Sequence, residues 1–447
     1  MKQRLLSGLM LVAMAATAQR SAIAFEEYTL DNGLHVILHQ DNSTPIVAVT
    51  ISYHVGSKNE VPGRTGFAHF FEHLLFEGSE NIARGEFDKH VALAGGALNA
   101  NTGFDRTFYY EILPSNQLEL GLWLESERLL HAKVEEVGVE TQREVVKEEK
   151  RQRIDNQPYM SFQSKVFAGA YAGTPYSWVP IGSMEDLNAA QIDEFRAFYK
   201  QFYVPNNATL SIAGDIDIKQ TKALIQKYFG DIPRGAEVVQ PKFTAPPMEA
   251  EIRETVYDNI QLPAVIMAYR IPPQTSTEAY QVDMLSRLLA GGASSRMTRK
   301  LVDEDQLALQ VGMFPFQSEN GGLIIIFGLA NAGVSPADLE AGIQAEIERM
   351  KTEAPTEREF TKLMNQVEND FISSNSTMAG IAESLSDYHM FYGNANLINT
   401  EIERYRSVKP EDLKAAAQKY LVNNNRVVLT YLPKADEPES PAQTNAQ

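Results

Sequence analysis

At 447 residues the chain is too long for one ordinary hydrophobic core and suits two domains of about 200 residues each. A hydrophobic fraction of 44% is that of a soluble globular protein, and a net charge of −18 without any basic stripe argues against a nucleic-acid partner and favours cationic over acidic peptides at low salt. No cysteine occurs, which excludes disulfides, thiolate zinc sites and a lipid-anchored N-terminal cysteine.

Residues 1–24 read as a signal peptide: Met1 to Arg4 is a short basic start, Leu5 to Ala18 is uncharged and mostly apolar, and small residues suit cleavage after Ala18 or Ala24. Export to the periplasm is expected. The alternative, a mitochondrial presequence, would be amphipathic and arginine-rich, whereas this run has an unbroken apolar centre. The run is shorter than a spanning helix needs, so no stable membrane anchor is expected.

A strand at about 47–55 comes next, followed by His69-Phe-Phe-Glu-His73. On a helix, positions i and i+4 share a face, so His69 and His73 can aim two imidazole nitrogens at one point with Glu72 beside them. Two ligands and a base are what metal-activated hydrolysis by water requires, although two helix-face histidines can also be ordinary half-buried residues. A helix near 85–94, a strand at 107–113 and helices near 117–130 and 139–155 follow. A catalytic zinc usually takes three protein ligands, and the last of these helices is the place to look for the third. Glu149 has Val145 and Val146 at i−4 and i−3, which predicts an apolar face where an unpaired carboxylate is costly and a metal resolves the cost. Glu148 stacks over Glu144 and Val145, a wetter face that suits a solvated charge.

The half closes with a helix over 191–202 and a strand over 206–213. Residues 236–251, rich in proline, read as a linker between domains at 25–235 and 252–433, with a disordered tail at 434–447. The second half echoes the first: a strand at 264–271, a helix at 280–289, a strand at 323–329, helices at 336–350 and 356–373, then helix 410–421 and strand 423–430. Aligning His73-Leu-Leu with Arg287-Leu-Leu puts Asp283 opposite His69 and Ser286 opposite Glu72, so the second domain keeps the helix without a metal set.

The chain closely resembles the pitrilysin or insulinase family of zinc peptidases, in its half-length branch related to mitochondrial processing peptidase. The likeness runs through Leu30 to Leu38, Val55 to Glu60, Thr65 to Gly78, Gly95 to Thr102 and Arg143 to Asp155. The family places its metal glutamate at the remove from the second histidine that Glu149 occupies, and not Glu148. It implies one Zn2+ held by His69, His73 and Glu149, Glu72 as catalytic base, and Asn99 and Ala100 on an edge strand that binds an extended peptide or unfolded segment. A structural alternative for Asn99 is a turn residue after Gly95-Gly96. The family's fold is α+β: two tandem homologous domains, each an antiparallel or mixed sheet with helices on one face.

Two departures stand out. A second glutamate that the family often places before the metal glutamate is Gln142 here, which can hydrogen-bond but carries no charge. The run Gly291 to Leu301 matches the family, but Val302 and Leu309 stand where an Arg and a Tyr that reach the substrate are expected. A heterodimer with a sister subunit supplying that Arg and Tyr is therefore expected. The competing function is a non-catalytic structural or peptide-binding, chaperone-like subunit of a related complex.

Overall fold

The computed structural model describes residues 22–436, so the expected signal peptide up to Ser21 and the tail beyond Asp436 lie outside the described residues. In the first half the chain forms β1 (Glu26–Thr29), β2 (His35–Gln40), β3 (Ile46–Tyr53), α1 (Phe67–Leu74), α2 (Phe87–Leu93), β4 (Ala97–Thr102), β5 (Thr107–Pro114), α3 (Leu118–Leu130), α4 (Glu136–Lys150), α5 (Phe162–Ala170), α6 (Met184–Ala189), α7 (Ile192–Phe202), β6 (Ala208–Gly214) and α8 (Ile218–Phe229). The second half forms β7 (Ile252–Asp258), β8 (Ala264–Ile271), α9 (Thr277–Ala290), β9 (Ala308–Ser318), β10 (Gly321–Ala330), α10 (Pro336–Thr352), α11 (Glu357–Ser374), α12 (Met378–Tyr392), α13 (Leu397–Ser407), α14 (Pro410–Tyr420) and β11 (Arg426–Pro433).

The strands make two mixed sheets, ordered β1-β2-β6-β3-β5-β4 and β7-β11-β8-β10-β9. In each, one pair is parallel, β2 with β6 and β7 with β11, while the remaining pairs are antiparallel. The duplication expected from the sequence is thus visible as topology, in the α+β class. Among the described residues no helix is long and apolar enough to cross a membrane.

Strand β3 carries the main surprise. A sheet with helices on one face should give alternating burial, yet every residue from Val47 to Tyr53 is buried. Both faces are covered, and the second face is covered by the other half of the chain. Ile381, Ala382 and Leu385 of α12 pack on Ile37, Ala48 and Ala213 of the first sheet. In return Val166, Phe167 and Ala170 of α5 pack on Ala264, Ile266, Leu323 and Leu429 of the second. Each half therefore lends one helix to its neighbour, and the two cores interlock across the boundary expected at residues 236–251. Neither α5 nor α12 was anticipated from the sequence, nor were β1, β2, α6, α8, α13, β7 or β9.

Polar contacts reinforce the exchange. Half-buried Arg106 pairs with Glu383 and with Asp387 at 2.6 Å, Ser386 Oγ donates to Ser52 Oγ at 2.7 Å, and the fully buried Lys58 bridges Asp105 at 3.2 Å and Glu319. The first described residues join the same seam. Ile23 is buried against α12, and its backbone N–H and C=O are both taken by the Asn399 side chain at 2.8 and 3.0 Å.

Candidate metal centre

Helix α1 begins where Gly66 adopts a left-handed φ of +93°, and a Cβ there would meet the Ile181 carbonyl oxygen at 2.9 Å. Buried Glu60 caps this start, its two carboxylate oxygens accepting from the Gly66 and Ala68 amides at 2.9 Å each. Burial pushes its pKa up to about 8, and those two bonds act in the opposite direction. Along the helix, Phe67 stacks on Phe195 with centroids 4.5 Å apart and Phe71 on Phe198 at 5.5 Å, while Tyr109 donates to the Phe71 carbonyl at 2.9 Å. These contacts lock the apolar face of α1 onto α7 and β5. The face bearing His69, Glu72 and His73 is thereby directed at α4 and β4.

Helix α4 is fixed through Val146, which is buried, and through Arg143, which donates to the Ala190 carbonyl at 2.9 Å. One detail of the sequence expectation is corrected: Val145 is 43% exposed, so the face under Glu149 is built on Val146 and not on both valines. The α-helix also stops at Lys150, and the expected continuation to Asp155 is a wider π turn over Arg151–Asp155.

His69, His73 and Glu149 meet with one ligand atom from each lying within 4.8 Å of the others. Glu149 Oε2 is 3.0 Å from His73 Nε2 and 3.5 Å from His69 Nε2. Ligands about 2.1 Å from a tetrahedral ion stand about 3.4 Å apart, so this spacing is that of donors around a zinc-sized cation. Two buried atoms, His69 Nδ1 and Glu149 Oε2, have no hydrogen-bond partner; the close approach of Oε2 to His73 lacks the alignment of a hydrogen bond. Burial, and then the neighbouring His73, push the His69 pKa down to about 4, which keeps that imidazole neutral with a lone pair to give. Contact with His73 chiefly holds Glu149 below the ordinary carboxylate range. The donor set fits a divalent metal. Glu148, by contrast, is exposed and bonded to Arg151 and Gln152 at 3.1 and 2.9 Å.

Glu72 stands next to this trio with its Oε2 accepting from Thr102 Oγ1 at 2.6 Å. Burial raises its pKa above the ordinary value, and the Thr102 bond is the largest opposing influence. Sequence reasoning missed both Thr102 and Glu60. For Thr102 a signal existed, since it lies two residues beyond Ala100 and so shares its strand face; for Glu60 there was none.

Asn99 and Ala100 lie within β4, an edge of the first sheet, and not in a turn. Asn99 is exposed, and its Oδ1 accepts the Ala100 amide at 2.9 Å, so an N–H at the free edge is covered by its own neighbour. Gln142 lies two turns before Glu149 and donates to Glu77 at 2.5 Å, with no hydrogen bond to His69, Glu72, His73 or Glu149. On α9 the positions opposite the metal set serve packing: Asp283 pairs with Arg287 at 3.0 Å and accepts from Tyr405 of α13 at 3.1 Å, and Ser286 donates to the Asp283 carbonyl at 2.7 Å. Val302 packs against the second core, and Leu309 is 56% exposed on the edge strand β9.

The insulinase model of peptidase family M16 matches residues 35–181, and the model described as the M16 inactive domain matches residues 189–367, the half whose helix lacks the metal set. The zinc protease PqqE of Helicobacter pylori is 31% identical over 434 residues, covering 96% of this chain and 98% of that protein. An uncharacterized zinc protease of Mycobacterium leprae is 25% identical over 404 residues, 88% of each. The crystal structure of a protease from Helicobacter pylori superposes with a TM-score of 0.88 at 30% identity, covering 92% of this chain and 100% of that one. The first half of the periplasmic protease PqqL from Escherichia coli shares the fold, with a TM-score of 0.74 at 20% identity over 94% of this chain and 95% of that one. With both domain models matched in order and a relative aligned from end to end, the chain belongs to the insulinase family of peptidases, M16.

Proposed function

We propose that this chain is a zinc-dependent endopeptidase of the periplasm that hydrolyses peptides or unfolded segments. The observation that carries this reading is the convergence of His69, His73 and Glu149, with Glu72 beside them on the same helix. Bound by these three groups, zinc supplies Lewis acidity that lowers the pKa of water and polarises a peptide carbonyl. Glu72 takes the proton from water and later returns it to the leaving amine. Substrate adds to the free edge of β4, where main-chain hydrogen bonds replace the Asn99 cover on the Ala100 amide and side-chain selectivity is low.

Glu72 must be ionised to act as a base, so the rate falls as pH drops through its pKa, which burial raises and the Thr102 bond lowers. Thr102→Val removes the donor that favours the charged form. The acid limb of kcat/KM is expected to move to higher pH while the alkaline limb stays in place; an unmoved acid limb would show that Glu72 does not set it.

Val302 and Leu309 offer no side-chain donor, and a missing transition-state donor typically costs about a hundredfold or more in rate. A sister subunit carrying an Arg and a Tyr would fill that gap. The test is hydrolysis of quenched, unfolded peptides by the chain alone and by its mixture with the product of a neighbouring reading frame, each with and without a chelator. Slow turnover alone, recovery on mixing and chelator-sensitive activity in a protein that stays folded support the reading. Equal rates from the chain alone would remove the need for a sister. No chelator-sensitive turnover in either sample would favour the structural or peptide-binding subunit instead.

Export leaves a specific mark. Cleavage after Ala24 would discard Ile23 and the two bonds its backbone makes to Asn399, whereas cleavage after Ala18 keeps them. Intact mass of periplasmic protein is expected to give a chain starting at Gln19; a start at Phe25 would mean that this anchor is dispensable.

A further inference from the structure

A second group of imidazoles and a carboxylate lies where the β1–β2 hairpin meets α12, on ground that the peptidase chemistry does not use. His35 of β2 and His389 of α12 stack with ring centroids 3.4 Å apart and planes within 2°. Glu27 of β1 sits at their edge, its Oε2 3.1 Å from His35 Nε2. One ligand atom from each of the three lies within 4.8 Å of the others, and among the described residues only the His69 cluster shares this property.

Both nitrogens of His35 are oriented by neighbours. Its Nδ1 is 3.2 Å from Thr29 Oγ1, the cross-strand partner in the hairpin, which orients the ring so that Nε2 points to Glu27. With the proton on Nε2, His35 donates to Glu27 Oε2 and accepts from Thr29; with the proton on Nδ1 given to Thr29, Nε2 presents a lone pair that a cation shared with Glu27 would take up. The 3.1 Å separation would open by only about 0.3 Å to reach the edge of about 3.4 Å between donors on a tetrahedral zinc. It also repeats the 3.0 Å approach of Glu149 to His73 in the first cluster. The His389 ring makes no hydrogen bond among the described residues, so its nitrogens are available. Parallel rings direct their lone pairs side by side, so two nitrogens meet one ion only if the stack opens, each ring turning by about 50° about χ2, a soft torsion for histidine.

We propose that Glu27, His35 and His389 form a second divalent transition-metal site, which takes Zn2+ or its imidazole-seeking neighbours and leaves at least one position to water. Imidazole donors select this class over magnesium and calcium, which take oxygen ligands. Two ligands come from the first half of the chain and one from α12, the helix that the second half lends to the first sheet. The ion therefore staples the exchanged helix in place and stabilises the fold in proportion to free zinc. Glu27 is exposed, so this site is weaker and exchanges faster than the one at Glu149.

The test uses the full chain without a histidine tag, with the first cluster disabled by His73→Ala and Glu149→Gln. Metal analysis after equilibrium dialysis at about 100 μM zinc, well above a micromolar Kd, is expected to give two equivalents for the parent and one for the disabled chain. Adding His389→Ala should remove that remaining equivalent, together with a zinc-dependent rise in Tm of about a few degrees. Glu27→Gln keeps the ring stack, and should weaken zinc binding about tenfold while leaving the metal-free Tm unchanged. Cobalt bound to the disabled chain should give visible absorption that His389→Ala abolishes. A disabled chain that binds no zinc, or one whose bound zinc and Tm response survive both His389→Ala and Glu27→Gln, would overturn the proposal.

Discussion

Glu72→Gln is expected to keep a full equivalent of zinc and to lose hydrolysis by about 10²- to 10⁴-fold, because an amide can hold a water molecule but cannot accept its proton. Glu149→Gln should behave differently. Its carboxylate faces both histidines, at 3.0 and 3.5 Å, and replacing it by a neutral amide removes the one anionic donor of the set. Zinc content should then fall in that variant, with activity falling alongside it and returning in part when zinc is added in excess. Glu148→Gln, at an exposed position bonded to Arg151 and Gln152, should leave both properties unchanged. Metal analysis and peptide turnover on the three proteins separate the roles. Full zinc occupancy in the Glu149 variant with depletion in the Glu148 variant would reverse the ligand assignment, and an active Glu72 variant would end its role as base.

Arg128→Met is expected to be the most damaging single change to the domain that holds this site, at about 3–5 kcal/mol. The guanidinium is fully buried and donates to Glu125 at 3.0 and 3.1 Å and to the Leu75 carbonyl, just past α1, at 3.0 Å, with Glu111 at 3.5 Å. It also lies over the rings of Phe76, Phe87 and Tyr109 at 4.6, 4.5 and 4.2 Å. Methionine fills much of the stem volume, so the loss comes from stranding two buried carboxylates. Burial already raises the Glu111 pKa well above its ordinary value, and removing Arg128 removes the main opposing charge. Adding Glu111→Gln and Glu125→Gln should therefore return much of the stability, since no buried charge then lacks a partner. Denaturant midpoints of the single and triple variants decide this. A loss within about 0.5 kcal/mol for Arg128→Met, or a triple variant less stable than the single, would contradict it.

The parts of this protein legible in its sequence are those written in local periodicity. His69, Glu72 and His73 share a helix face because 3.6 residues make a turn, and the structure places them on α1 as that spacing demands. The long apolar strands, the capped helices α10 and α11, and the echo between the two halves were readable for the same reason. Where the local rule met a fine rotation it erred: Val145 faces solvent and Val146 the core, a difference of one residue on α4. Tertiary structure alone decided which distant groups meet. Nothing in their spacing links Arg128 to Glu111 and the Leu75 carbonyl, or His35 to His389. Nor did any pattern announce that α5 and α12 would each cover the sheet of the opposite half, because an apolar helix face states that it must be buried and not by what. Burial is satisfied by any complementary surface, and only the three-dimensional path of the chain, which carries α12 back across β3 and β6, selects the surface that is used.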